Sequence, residues 1–118
     1  MEVKRKGIYL ARLMRKKGSS VEGGIRPVVV LQNDKGNQTS PTVIVVPVTS
    51  VLKKMYLPTH VFLHNEALSE PSMAMLEQIQ TIDVTQLIEY RGSVTDEEME
   101  RIEQAAKKSL GMIRRQPV

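Results

Sequence analysis

Arg26 stands where a flexible stretch, Gly18 to Gly24, runs into an apolar run from Pro27 to Leu31. An arginine rooted in a buried strand but facing a glycine loop has a fixed base and an open front. Thr49 and Ser50 close a second apolar run, Val43 to Val48, and carry two hydroxyls to what should be a neighbouring rim. A guanidinium fork beside a hydroxyl is a good phosphate clamp, because the fork matches two phosphate oxygens at once. The same arginine can be spent on an ion pair with Glu22 or Asp34, and residue types do not choose between the two uses. Metal chemistry finds less support. Only His60 and His64 occur, cysteine is absent, and no carboxylate cluster or H-E-x-x-H spacing accompanies the histidines. Four apart in an expected strand, they point to one face, which suits a structural or surface role.

These side chains need strands to hold them. Residues 7 to 13 alternate loosely and predict a first strand. Residues 14 to 24 are basic and then rich in Gly and Ser, hence a loop. Arg26 to Leu31 is almost wholly β-branched and predicts a strand buried on both faces. The cluster Asn33-Asp34-Lys35-Gly36-Asn37 predicts a turn. Val43 to Val48 is the next buried strand, with Pro47 marking a break or an edge near its end. Lys53 to Pro58 is a second loop, and Thr59 to His64 alternates again. Ser72 to Leu76 with Gln78 to Ile82 predicts one strand and a turn, and Leu87 to Val94 one more strand. Thr95-Asp96-Glu97-Glu98 then forms a capping box. Met99, Ile102, Ala106 and Leu110 follow at helical spacing as an apolar stripe, and Gly111 stands where a C′ glycine ends a helix. Short strands followed by one helix predict a small α+β barrel, a single domain over residues 1–118.

Composition narrows the function classes. The chain has 118 residues, 41% of them hydrophobic and 25% charged, which is a globular balance. No apolar run approaches the ~20 residues needed to span a bilayer, and no apolar segment follows the basic N-terminus as in a secretory signal. A soluble, cytoplasmic protein is expected. Charge is placed unevenly. Eight basic residues stand against Glu2 and Glu22 in the first 26 positions, so on a net charge of +4 the remainder is slightly acidic. A basic segment on a small domain attracts polyanions, nucleic acid above all, or is simply a solvated face. Three tyrosines and one phenylalanine leave few platforms for base stacking.

Several linked motifs carry a family resemblance. Gly23-Gly24-Ile25-Arg26-Pro27-Val28-Val29-Val30-Leu31-Gln32-Asn33-Asp34, Gly36-Asn37, Ser40-Pro41-Thr42-Val43-Ile44-Val45, Leu57-Pro58-Thr59-His60-Val61 and Leu76-Glu77-Gln78-Ile79 resemble the MazF/PemK toxin family, most closely its Gram-positive MazF branch. Thr81-Ile82-Asp83 and Ser109-Leu110-Gly111 extend the likeness, which runs from about residue 4 to 112. It implies an SH3-like antiparallel β-barrel with a C-terminal helix that forms homodimers. It implies a toxin of a type II toxin–antitoxin system, a sequence-specific endoribonuclease that cleaves single-stranded RNA without metal or other cofactor. It also implies a cognate MazE-like antitoxin whose tail occupies the RNA groove. The family's catalytic Arg and Thr fall on Arg26 and Thr49. Its RNA-contacting positions fall on Ser19, Ser20 and Glu22 in the first loop, on Ser50, Leu57, Pro58 and His60 around the second, and on Glu77 and Gln78 at a third rim. The first loop is one residue longer than the family pattern, and Gln80 replaces its usual Arg. An inactive relative that binds RNA or protein, or a gyrase-directed toxin of similar fold, is the alternative, since a fold does not dictate a chemistry.

Overall fold

The computed structural model describes residues 1–14, 17–18 and 23–112. Among the described residues seven strands and two α-helices follow one another: β1 (Gly7–Leu13), β2 (Gly24–Val30), α1 (Asp34–Thr39), β3 (Thr42–Thr49), β4 (His60–Leu63), β5 (Ser72–Met75), β6 (Gln80–Asp83), β7 (Leu87–Ser93) and α2 (Asp96–Ser109). The strands hydrogen-bond in the order β4-β5-β3-β2-β1-β7, with β6 also on β3, and every pairing is antiparallel. The sheet is barrel-like without closing, since β4 and β7 remain its outer strands.

The β-branched run in β2 behaves as its composition requires. Val28, Val29 and Val30 are fully buried, and the period of two sends them to opposite faces. Val29 packs with Val46, Val48, Leu63, Leu76 and the α2 residues Met99 and Ile102 in one cluster. Val28 and Val30 pack with Tyr9, Val43, Val45, Ile82 and Leu87 in the other. Arg26 and Pro27, at the start of β2, are only half-buried.

β3 is the pivot. It pairs with β6 across Thr42–Val45 and with β5 across Val48–Thr49, so the ladder on that side is interrupted at Val46 and Pro47. The break expected from Pro47 is therefore real, but the strand runs through it to Thr49. Two other expectations need correction. The turn cluster at 33–37 winds into α1, because the Asn33 side chain accepts the Gly36 N–H and caps it. Gln78 to Ile82 is more than a turn: a single 3-10 turn, Leu76–Gln78, leads into β6 as a separate strand.

α2 starts at the expected box. Thr95 Oγ1 accepts the Glu98 N–H at 3.1 Å, and Glu98 Oε1 accepts the Thr95 N–H at 2.9 Å. Its buried face is Met99, Ile102 and Ala105, with Ala106 at the margin. Leu110 departs from the expected stripe: as the C-cap it has left the helical track and is exposed. Gly111 follows with φ of 69°, the left-handed stop that glycine adopts without cost. No helix of the described residues is long and apolar enough to cross a membrane.

Candidate RNA-cleavage site

β2 and β3 are set in register by Val28 opposite Pro47 and Val29 opposite Val46. Continued by two residues, that register puts Arg26 across from Thr49. The paired residues themselves are Val28, Val29 and Val30 with Pro47, Val46 and Val45, and Arg26 and Thr49 lie just beyond that ladder. Gly24, with φ of 82°, turns the chain into β2 in a conformation that a side chain would strain. Arg26 Nε then donates to the Gly23 carbonyl at 2.8 Å, which anchors the root of the guanidinium against the loop. Thr49 is buried, and its Oγ1 accepts the Val51 N–H at 3.1 Å, turning the chain outward at the strand end. Ser50 is exposed beside it.

A recess of about 210 Å³ opens here, and Arg26 and Ser50 share it with Leu68, Ser69 and Ser72. A cation ringed by hydroxyls suits a phosphodiester, with the fork taking charge and the hydroxyls taking hydrogen bonds. Leu68 and Ser69 come from the β4–β5 connection and Ser72 opens β5, a segment that the sequence patterns do not place at the site. Only the tertiary arrangement brings that segment to β2, so no local pattern could have flagged it.

Asp34 is not the partner of Arg26. It lies past the far end of β2, about 13 Å of strand beyond Arg26 at Val30. There its carboxylate accepts the Arg5 N–H at 2.7 Å and an Asn37 side-chain N–H at 3.2 Å. Those bonds, the Arg5 amide first, hold the Asp34 carboxyl below the usual range. The other alternative, Glu22, lies outside the described residues, as do the expected contacts Ser19 and Ser20.

The remaining positions gather in a second cluster, at the far end of the β3–β4 loop. His60 opens β4 with its side chain only 6% exposed. Its Nδ1 lies 2.9 Å from the Lys54 carbonyl and its Nε2 2.8 Å from Glu77 Oε2. Leu57 is half-buried and Pro58 exposed, and Pro58 and His60 line a groove of about 410 Å³ against α2. Gln78 Nε2 reaches Met75 Sδ at 3.7 Å. Tyr56, 81% exposed on the same loop, offers an aromatic face to solvent. His64 follows β4 and is exposed in a separate recess with Asn65 and Glu70. Among the described residues no three metal-ligating side chains come together.

Comparison with known proteins bears on the family and the fold. The model of the PemK-like, MazF-like toxin of type II toxin–antitoxin systems matches residues 4–110. The endoribonuclease MazF of Staphylococcus saprophyticus is 42% identical over 112 residues, covering 93% of this chain and 92% of that protein. Among solved structures, MazF from Deinococcus radiodurans superposes with a TM-score of 0.82 at 18% identity, covering 95% of this chain and 99% of that one. A mycobacterial endoribonuclease in complex with its cognate antitoxin superposes with a TM-score of 0.77 at 23% identity, covering 96% and 99%. At those identities the structural matches speak for the fold.

Proposed function

The chain belongs to the PemK-like, MazF-like toxin family, and from that premise we propose that it cleaves single-stranded RNA at the Arg26–Thr49 rim without a metal. It is a toxin endoribonuclease of a toxin–antitoxin system: the matching family model is that of a type II toxin, and the 42% identical relative is by name an endoribonuclease. The observation that supports the reading is the recess that Arg26 shares with Ser50, Ser69 and Ser72, on the side of β2 and β3 where their register, extended by two residues, runs toward Thr49. That a relative of this identity is an endoribonuclease favours the nuclease over an inactive binding module.

The strand-cleaving step itself consumes no water. The ribose 2′-oxygen attacks the adjacent phosphorus, forming the O2′–P bond, and the P–O5′ bond breaks. The 2′-hydroxyl proton passes to a base, and a proton is delivered to the departing 5′-oxygen, so the ends are 2′,3′-cyclic phosphate, or the 3′-phosphate from its hydrolysis, and 5′-hydroxyl. Arg26 stabilises the charge that builds on the phosphorane, where a preorganised donor counts most. A guanidinium is a poor general base, because it stays protonated at any ordinary pH. Thr49 and Ser50 orient the phosphate, while Leu57, Pro58, His60, Glu77 and Gln78 receive flanking nucleotides at the other end of the loop.

Two partners follow. An apolar recess of about 310 Å³ between α2 and the sheet includes Leu31, Ile44, Ile79, Ile102 and Leu110, with Ile44 39% and Leu110 62% exposed. Such a face suits a second copy, and a homodimer would lengthen the RNA track. A cognate MazE-like antitoxin would neutralise the track with an acidic tail that folds on binding.

A single 2′-deoxy nucleotide immediately 5′ of the scissile phosphate tests the reaction. Cleavage there should stop while binding changes little, and chelators should leave the rate unchanged. A deoxy substrate cut at the normal rate, or a product with a 5′-phosphate, contradicts the mechanism.

A further inference from the structure

The β4–β5 connection, residues 64–71, contains no helix or strand, yet through Leu68 and Ser69 it walls one side of the Arg26 recess. Ser72 spends its hydroxyl proton on the Glu70 carbonyl at 2.8 Å, so the exposed hydroxyl of Ser69 is the one this segment can turn toward an anion. Glu70, the next residue, lines the adjoining recess instead, together with His64, Asn65 and Glu66. The connection therefore helps an anion only while it presents Ser69 and keeps that carboxylate away. A loop of eight residues does this reliably only when other elements pin it.

The pin is Asn65. Its Nδ2 donates to the Ser93 carbonyl at the end of β7 at 3.0 Å and to Glu98 Oε1 on α2 at 2.9 Å. Its Oδ1 accepts the Ala67 N–H at 2.9 Å, and its main-chain carbonyl accepts the Leu68 N–H at 2.9 Å. The partners settle which way the amide points. A carbonyl and a carboxylate only accept, so the NH2 faces them, and a main-chain N–H only donates, so the oxygen faces it. Glu98 is itself buried, and the same Oε1 takes the Thr95 N–H of the capping box. One side chain thus ties the connection to a strand end and to the first turn of a helix. Gly92 adds a second restraint: a Cβ there would stand 2.8 Å from the Cβ of Ala67, so the connection lies against β7 more closely than any side chain allows. Leu68 then plugs into the core beside Val48 and Leu63, and Ser69 follows directly.

We propose that Asn65 is a positioning residue of the cleavage site: it staples the β4–β5 connection to β7 and α2 and so holds Ser69 at the recess where Arg26 takes the phosphate. The consequence for cleavage rests on the nuclease reading, but the staple itself does not require RNA. Asn65 stands outside the Arg26 recess and acts only through the segment it holds. Without it the connection loosens and Ser69 donates poorly, while Arg26 and Thr49 keep their places on their own strands. The loss falls on kcat more than on KM, because the charge that Ser69 meets on the phosphate grows toward the transition state.

Two variants and a control test this at a temperature where all are folded. Asn65→Ala removes the whole staple. Asn65→Asp keeps an acceptor for the Ala67 N–H and loses only the bridge to β7 and α2. Thr95→Ala weakens the start of the same helix without touching the connection, so it shows what lost stability alone does. Amide hydrogen exchange reads the staple without RNA. The Leu68 amide should exchange faster in both Asn65 variants, the Ala67 amide faster in Asn65→Ala, and both as in the wild type in Thr95→Ala. With RNA, kcat per folded molecule should fall about three- to tenfold in both Asn65 variants, the effect of one badly made hydrogen bond, with KM little changed. In Thr95→Ala it should hold. Unchanged exchange in the Asn65 variants overturns the proposal. So does faster exchange with an unchanged kcat, a loss that falls on KM alone, or an equal loss of kcat in Thr95→Ala. The expected exchange pattern in a protein that cuts no RNA leaves the staple standing and overturns the nuclease reading.

Discussion

Val28, Val29 and Val30 on β2, and Val45, Val46 and Val48 on β3, are sealed from solvent, yet near one end of the same two strands Arg26 and Ser50 line an open recess, with Thr49 buried beside them. The middle of each strand and its end are separated by a residue or two and follow different rules. In the middle, side-chain volume and β-branching decide everything, because both faces are buried and a one-residue slip would turn every contact over. At the ends, what counts is which polar groups the fixed register brings opposite one another. The arrangement lets the valines carry stability and leaves the rim to carry chemistry. It predicts that the two can be damaged independently.

The largest change in stability should come from the sealed region. Ile102 is fully buried on α2 against Val29, Val46 and Leu63, so Ile102→Ala should cost about 2–5 kcal/mol through lost transfer energy and the cavity left behind. Denaturant unfolding reads the loss, and RNA cleavage per folded molecule should not change. A fall in cleavage beyond the unfolded fraction would break the separation. Thr95→Ala should cost less, about 1 kcal/mol, by removing the side-chain half of the capping box on α2. Its melting temperature should drop by a few degrees while cleavage at 25 °C is retained. The smallest effect concerns acid. The Arg5 amide and Asn37 hold the Asp34 carboxyl below its usual range, so the folded state binds that proton less readily than the unfolded chain. The associated stability is present above the unfolded carboxyl's range and is lost as pH falls toward the folded value. Asp34→Asn should therefore flatten the decline in stability on acidification below about pH 4 without changing stability's pH dependence near neutrality. A decline as steep as in the wild type would show that Asp34 plays no part.

The sequence showed the sealed region better than the rim, and for a physical reason. β1 and the capping box of α2 fall at the expected residues because hydrophobic period and cap chemistry are local. α1 escaped because six residues carry no period and its composition, Asp-Lys-Gly-Asn, favours turns as strongly as a short helix. β6 escaped because the strand is four residues long and half-exposed, and its partner Thr42–Val45 lies far back in the chain. At the site, Arg26 and Thr49 were legible as strand-end polar residues and through the family motifs. Ser69 and Ser72 were not, since only folding carries the β4–β5 connection and the start of β5 to β2. His60 was legible as a residue type but not as a bridge, because its partners stand 6 residues before it and 17 after.

Arg26→Ala decides between the two regions in one preparation. Thermal unfolding and RNA cleavage should be measured together on the wild type and the variant. The side chain is half-buried and outside both hydrophobic clusters, and its Nε donates to the Gly23 carbonyl, so the melting temperature should stay within a few degrees. The cleavage rate should fall about 100- to 1000-fold, the usual loss when one preorganised donor to a charged transition state is removed. A variant that folds as the wild type does and cuts RNA at close to the wild-type rate would contradict the assignment of chemistry to this rim.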